Sequence, residues 1–275
     1  MKPEDVEIIR MLVHARSGAT VDRDKTYLIE SKLGPVARRE GFESIGELVQ
    51  ALRVKRDDKL MWAVTDAMTS NETCFFRDRA PFKQFREEML PALAARRGET
   101  PIKVWSAGCS TGQEPYSLAM IVDDERSHLP GMRVEIFASD LSDRCLEKAQ
   151  AGLYTQFEIQ RGLPIRLLVR HFERADEMWA LSPRIRQMVR WRKVNLLADF
   201  SALGGFDVIF CRNLVGTLEE PTRKALLERL AMALPEDGYL VLGADETVMG
   251  LTEALKPAAG RRGLYVRNPG FRVAA

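Results

Sequence analysis

Apolar side chains near the start of the chain recur at three- and four-residue intervals, the spacing of one helical face. Val6, Ile9, Leu12 and Val13 share such a face between residues 3 and 16, and Gly18 stands just past the predicted end. A second helix is expected from an Asp24 cap through Lys25, Leu28, Ile29, Lys32 and Leu33, kinked at Pro35 and stopped by Gly41. Ser44 opens a third that turns Ile45, Leu48, Val49 and Leu52 inward. A fourth starts near Asp57 and carries Leu60, Met61, Val64 and Met68. No strand pattern interrupts them, so residues 1–75 are expected to form an all-α N-terminal domain. Phe82, Phe85 and Leu90 continue the helical spacing through a linking helix, residues 76–98, that ends at Arg96-Arg97-Gly98.

Beyond that point the period changes. Short apolar runs at Ile102–Trp105, Val134–Ala138, Phe206–Cys211, Tyr239–Gly243 and Leu264–Val266 read as strands. Helical patterns over Pro115–Asp123, Ser142–Gln150 and Pro221–Leu234 separate them. The alternation predicts a doubly wound α/β domain over residues 99–275. It is interrupted after Gly152, where Trp179, Leu181, Val189, Trp191 and Val194 suggest short antiparallel strands. Residues 154–193 are therefore expected to be a small inserted β-subdomain.

Composition narrows the possible partners. Of 275 residues, 45% are hydrophobic, and 41 Lys and Arg against 39 Asp and Glu leave a net charge of +2. That balance argues against nucleic acid or an anionic membrane as the partner. The basic residues Lys25, Lys32, Arg38, Arg39, Arg53, Lys55 and Arg56 offer a docking face for an acidic partner, although interspersed carboxylates fit a plain solvated surface equally well. Four widely spaced cysteines, Cys74, Cys109, Cys145 and Cys211, form no C-x-x-C pair and suggest neither a zinc site nor a disulfide framework. Only His14, His128 and His171 supply imidazoles, so no metal is expected. The N-terminus lacks an apolar signal core and no run approaches the ~18 apolar residues of a span, so a cytoplasmic protein without membrane insertion is expected.

Candidate chemistry concentrates at Val104 to Ala119, which reads as strand, glycine-containing turn and helix. Gly108 and Gly112 permit conformations that a Cβ blocks, and a following helix presents unpaired N–H groups to a ligand. Asp140 directly follows the second strand, where an acceptor-only carboxylate suits a ribose diol. The turn lacks G-x-G-x-x-G, which counts against a dinucleotide and favours a phosphate-free adenosine cofactor.

With these pieces in place, the sequence resembles the chemotaxis receptor methyltransferases (CheR). The resemblance rests on Asn71-Glu72-Thr73 through Phe75-Phe76-Arg77-Asp78, on Ser110 to Ala119, on Ala138-Ser139-Asp140-Leu141, on Asn195-Leu196-Leu197 and on Phe206 to Asn213. It spans essentially the whole chain. It implies a Rossmann-like S-adenosylmethionine methyltransferase domain with a small inserted antiparallel β-subdomain, preceded by an all-α domain. It also implies methyl transfer from S-adenosylmethionine to glutamate carboxylates in the cytoplasmic helical region of chemoreceptors, by a monomer, with S-adenosylhomocysteine as product.

Carried over by motif, the cofactor contacts are Asn71, Thr73, Arg77, Glu114, Asp140, Asn195, Leu196, Arg212 and Asn213. Asp140 would hold the ribose, Asn195 and Leu196 the adenine, and Glu114 would counter the positive end of the methionine portion. Arg77 is implied to lie by the reacting methyl and to be the catalytic residue, as a positioner of the substrate carboxylate and not a base. Taken singly, each has a structural alternative: a helix-end cap, a surface ion pair or a turn residue. One departure is visible: Thr217 stands where family members usually carry a tyrosine close to the transfer site. The short hairpin around Ala175-Asp176-Glu177 suggests no dependence on a receptor tail peptide. Three other readings stay open: a non-catalytic cofactor-binding or receptor-docking module, an RNA methyltransferase using Arg184, Arg186, Arg190, Arg192 and Lys193, and, more remotely, a nicotinamide oxidoreductase.

Overall fold

The computed structural model describes residues 1–55, 57–69 and 72–271. The chain divides into two units, Met1–Ser70 with Thr217–Thr222, and Asn71–Gly216 with Arg223–Ala275.

The first unit is helical: α1 (Pro3–Ser17), α2 (Thr26–Arg39), α3 (Ile45–Val54) and α4 (Asp58–Met68). Side-chain caps start α3 and α4. Ser44 accepts from the Glu47 N–H, and Asp57 accepts from those of Lys59 and Leu60. The expected Asp24 cap is replaced. Lys25 holds the cap position of α2 without a side-chain bond, while Asp22 accepts the Asp24 N–H at 3.0 Å. Pro35 lies inside α2, which continues as one element to Arg39. Ile9, Val13, Ile29, Leu33, Leu48, Val49 and Val64 form the fully buried centre of this unit. Several of its cations are engaged internally. Lys32 Nζ donates to the Met68 carbonyl at 3.1 Å, and Lys25, Arg39 and Arg53 pair with Asp22, Glu40 and Asp5. Arg56 lies outside the described residues.

The second unit opens with α5 (Ala80–Gln84), one π-helical stretch (Phe85–Met89) and α6 (Leu90–Arg97). The order then runs β1 (Ile102–Ala107), α7 (Gln113–Glu125), β2 (Val134–Asp140), α8 (Asp143–Ala151), β3 (Leu153–Thr155), α9 (Gln156–Gln160) and α10 (Ile165–His171). It continues with β4 (Phe172–Ala175), β5 (Met178–Leu181), α11 (Pro183–Arg186), β6 (Val189–Lys193), β7 (Val208–Phe210), α12 (Glu220–Met232), β8 (Tyr239–Val241), β9 (Leu255–Pro257) and β10 (Leu264–Arg267).

Seven strands form one sheet in the order β6-β2-β1-β7-β8-β10-β9, parallel from β6 to β8 and antiparallel at β10. The reversal of strand order around β1 is a topological switch point, and ligands of such sheets bind outside the carboxyl ends of the strands there. A separate antiparallel sheet, β3-β5-β4, supplies the small β-subdomain. The antiparallel pairing expected for Val189 and Trp191 is not what forms. Both lie in β6, which pairs parallel with β2 through Ile136↔Val189 and Ala138↔Trp191. Within the core, Trp105 Nε1 donates to Ser139 Oγ at 2.9 Å, satisfying the indole N–H where water is excluded.

Candidate active site

Four neighbouring strands end along one edge, and each delivers part of the site. The β1 end leads into the turn Gly108 to Gly112, with φ +78° and +94° at the two glycines. A Cβ on Gly112 would lie 2.8 Å from Ala149 Cβ and 3.1 Å from both Trp191 and the Tyr154 hydroxyl, and one on Gly108 would lie 2.7 Å from Leu214. Gly112 is therefore required by its left-handed backbone and by close packing on the protein itself, and Gly108 by its left-handed backbone, in addition to any room a ligand uses. Tyr154 donates its hydroxyl to the Thr111 carbonyl at 2.9 Å and Tyr116 donates to the Ala149 carbonyl at 2.7 Å. Burial pushes both phenols above their ordinary range, so both remain neutral donors.

At the β2 end, the Asp140 carboxylate is fixed from two sides. Oδ2 accepts the Ser110 N–H at 2.7 Å and Oδ1 the Ser142 N–H at 2.9 Å. The first comes from the β1 turn and the second from the cap of α8, so Asp140 sets the spacing of adjacent loops. Beyond β6, Asn195 Oδ1 accepts the Leu197 N–H at 2.9 Å, an Asx turn, and Leu196 is buried. Arg229 clamps this loop by donating to the Leu196 carbonyl at 2.8 Å.

The β7 end carries Arg212 and Asn213. The Arg212 side chain is 1% exposed. It donates from Nη1 to Glu114 Oε2 at 3.0 Å, and from Nη2 to Asp78 Oδ2 at 2.7 Å and the Arg77 carbonyl at 2.8 Å. Glu114 Oε1 also accepts from Ser106 Oγ at 2.8 Å. A buried guanidinium held by two carboxylates is costly to break from one side, roughly 3–5 kcal/mol for loss of a partner. Arg212 Nε is buried and has no partner among the described residues, a donor that a ligand's acceptor would satisfy. Arg77 itself is half-buried and donates from Nη1 to the Glu72 carbonyl at 2.7 Å. Glu72 in turn pairs with Arg161 at 2.6 Å, and that hydrogen bond, with the charges of Arg161 and Arg77, holds its carboxyl below the usual range.

Backbone strain singles out the same loops. Of six non-glycine residues with positive φ among the described residues, five lie here: Phe76, Asp78, Arg79, Ser110 and Asn213. Each costs of order 1–3 kcal/mol, and such residues cluster where a fold holds a functional geometry.

Glu114 and Arg212 thus touch directly, and Arg77 joins them through its backbone. Asp140, Asn195, Leu196 and Asn213 occupy the adjoining strand ends. Thr73 is half-buried in the loop that carries Arg77, and Asn71 lies outside the described residues. Thr217 is grouped with the helical unit, where its carbonyl accepts the Thr20 N–H at 3.0 Å. Asp78, Ser106 and Glu246 join these residues only in the structure. Asp78 had a usable signal, since it closes the Phe75-Phe76-Arg77-Asp78 run. Arg184, Arg186 and Lys193 are engaged by Asp123, the Ala151 carbonyl and Asp143.

Comparison with known families decides the kinship. The description "CheR methyltransferase, SAM binding domain" matches residues 71–264, and "CheR methyltransferase, all-alpha domain" matches residues 4–69. The chain belongs to the CheR methyltransferase family. Among curated CheR relatives, chemotaxis protein methyltransferase 1 of Pseudomonas aeruginosa is 38% identical over 253 residues, covering 90% of this chain and 92% of that one. A chemotaxis protein methyltransferase of Pseudomonas putida is 37% identical with the same coverage, and one of Vibrio anguillarum is 36% identical over 244 residues, covering 88% of each chain. The cofactor of this CheR protein is S-adenosylmethionine. An acceptor-only carboxylate at the β2 end and a buried donor left over at Arg212 both fit that cofactor, while Glu114 is already engaged by Arg212 and Ser106. No helix among the described residues is long and apolar enough to cross a membrane.

Proposed function

We propose that this protein methylates glutamate side chains in the helical cytoplasmic region of chemoreceptors, acting on the site at the carboxyl ends of β6, β2, β1 and β7. The observation that carries this reading is the convergence of Asp140, Glu114, Arg212 and Asn213 on adjoining strand ends, in loops that hold five strained residues. Bound S-adenosylmethionine supplies an electrophilic methyl group to a glutamate carboxylate that is already ionised near neutrality, so no general base is needed.

The work left to the protein is alignment and exclusion of water. Asp140 holds the ribose hydroxyls, its plane set by two backbone N–H groups. Asn195 and Leu196 bracket the adenine by edge and by face. Arg212 presents the loop of Arg77 and Asp78 to Glu114, so one buried cation organises the methionine end. Arg77 orients the substrate carboxylate by charge and planar donors. Asn71 and Thr73 complete the cofactor contacts in this reading. Docking of the receptor on the basic positions of the helical unit would be mainly Coulombic, since Lys25, Lys32, Arg39 and Arg53 already hold internal partners. The chain would act as a monomer in the cytoplasm.

The test is transfer of radiolabelled methyl from S-adenosylmethionine to purified cytoplasmic receptor fragments from the same organism, followed by mild alkali. Alkali-labile label on the receptor, absent with Asp140→Ala, is expected. Tight cofactor binding with no label on any receptor fragment would overturn the reading in favour of a non-catalytic module.

A further inference from the structure

Glu246 lies in the segment after β8, outside every motif that suggested a function, yet its carboxylate gathers three backbone N–H groups. Oε2 accepts from Asn213 at 2.8 Å and from Gly243 at 2.7 Å, and Oε1 accepts from Gly216 at 2.9 Å. One side chain therefore ties the loop beyond β7 to the loop beyond β8. We propose that Glu246 is a positioning residue for the methyl-transfer site, holding the Arg212–Gly216 turn so that the Asn213 side chain meets the cofactor. This rests on the reading of Asn213 as a cofactor contact.

Three observations support a role beyond general stability. Asn213 sits at φ +59°, a left-handed conformation that its own residue type tolerates but does not favour, so something must hold it there. Glu246 does so through the Asn213 N–H, and the Asn213 side-chain amide has no hydrogen-bond partner among the described residues. The joint is also closely fitted. A Cβ at Gly243 would lie 2.7 Å from Glu246 Oε2, 2.8 Å from Asn213 Nδ2 and 3.0 Å from Asn213 N, so any larger residue there displaces the Glu246 or Asn213 side chain. Finally, no Lys or Arg pairs with Glu246 among the described residues, and its charge is met by N–H dipoles alone. Its field reaches the same strand end as that of Glu114, since both raise the buried Cys211 thiol, after burial itself, above the ordinary range. An unpaired carboxylate there adds negative potential where a cationic sulfonium is read to bind.

The experiment measures S-adenosylhomocysteine affinity by calorimetry, and KM for the receptor fragment, on the full chain. Glu246→Gln keeps the volume but turns one acceptor into a donor. Gly243→Ala crowds the same joint while leaving Glu246 in place, and serves should the first variant fail to fold. Each is expected to raise the cofactor Kd about tenfold or more, the effect of losing a hydrogen bond to a charged group, with receptor KM within about twofold. Asn213→Ala is expected to weaken binding similarly, and combining it with Glu246→Gln should add little, because both act through one contact. Additive losses, or wild-type affinity in both Glu246→Gln and Gly243→Ala while Asn213→Ala weakens binding, would overturn the inference and leave the reading of Asn213 standing. Wild-type affinity in Asn213→Ala would overturn both.

Discussion

Replacing Asp140 by asparagine alters one atom and should impair two things separately. In the wild type, Oδ2 and Oδ1 accept backbone N–H groups from Ser110 and Ser142 at 2.7 and 2.9 Å in a site where Asp140 is 9% exposed. Asparagine has one acceptor oxygen and one NH2 donor, so one of those N–H groups then faces a donor. A hydrogen bond to a charged acceptor, lost with its buried donor left unsatisfied, costs roughly 2–3 kcal/mol. Spread over a unit of this size, that lowers Tm by about 4–12 °C without ligand. Cofactor binding loses a further acceptor for the ribose diol, about 1.5–3 kcal/mol, or roughly 10- to 100-fold in Kd. The assay pairs calorimetry of S-adenosylhomocysteine binding with melting in the presence and absence of saturating ligand. The ligand-induced rise in Tm should shrink in the variant, because stabilisation follows the ratio of ligand concentration to Kd. A variant that melts lower but binds within about twofold of wild type would refute the ribose role and leave Asp140 as a spacer between loops.

Three further outcomes follow from the same geometry. Arg77→Ala should lose most turnover while keeping part of its cofactor affinity, because the contact with Arg212 uses the Arg77 backbone carbonyl and survives; wild-type kcat would contradict the role. Gly112→Ala should destabilise by roughly 2–4 kcal/mol in denaturant melts, since alanine at φ +94° carries left-handed strain and its Cβ would lie 2.8 Å from Ala149 Cβ. Arg97→Met breaks a fork in which Arg97 donates to Asp237 at 2.7 and 2.9 Å and to Asp207 at 2.8 Å, and should cost about 1–3 kcal/mol at neutral pH, reduced by the partial exposure of Asp237. The Arg97 hydrogen bond holds the Asp237 carboxyl below its usual range, so its stabilisation is complete above ~pH 4. It is lost as pH falls through the lowered value, and the gap between wild type and variant in acid melts should close there.

Much of the helical unit could be read from periodicity and caps. Ser44 and Asp57 act on N–H groups two or three residues away, and such local bonds need no distant partner to be recognised. Asp24 does not cap α2, because Asp22, two positions earlier, holds the same turn and accepts the Asp24 N–H. At the site, Asp140 and the Gly108 to Gly112 turn were recognisable because strand, turn and helix follow one another directly along the chain. The family motifs point further to Asn195, Leu196, Arg212 and Asn213, positions that composition and spacing alone would have left as loop residues, and the fold sets them on adjoining strand ends.

Pairing across long separations was another matter. Val189 and Trp191 alternate with Arg190 and Arg192 as a half-buried strand should, but alternation carries no information about which neighbour a strand will choose, and β6 joins β2 in parallel instead of the hairpin sheet. The basic run of the insert reads as a charged surface, yet Arg184 and Lys193 meet Asp123 and Asp143 once the fold brings them together. Arg212 is a surface residue by type and becomes the buried hub of the site because Glu114 and Asp78 converge on it. Glu246 acts from the loop beyond β8 on the loop beyond β7. Helices, turns and caps are determined within a few residues, where the chain's own covalent spacing brings donors to acceptors. Strand neighbours, buried ion pairs and the holding of Asn213 depend on groups tens of residues apart, and only burial of the common core puts them within hydrogen-bond reach.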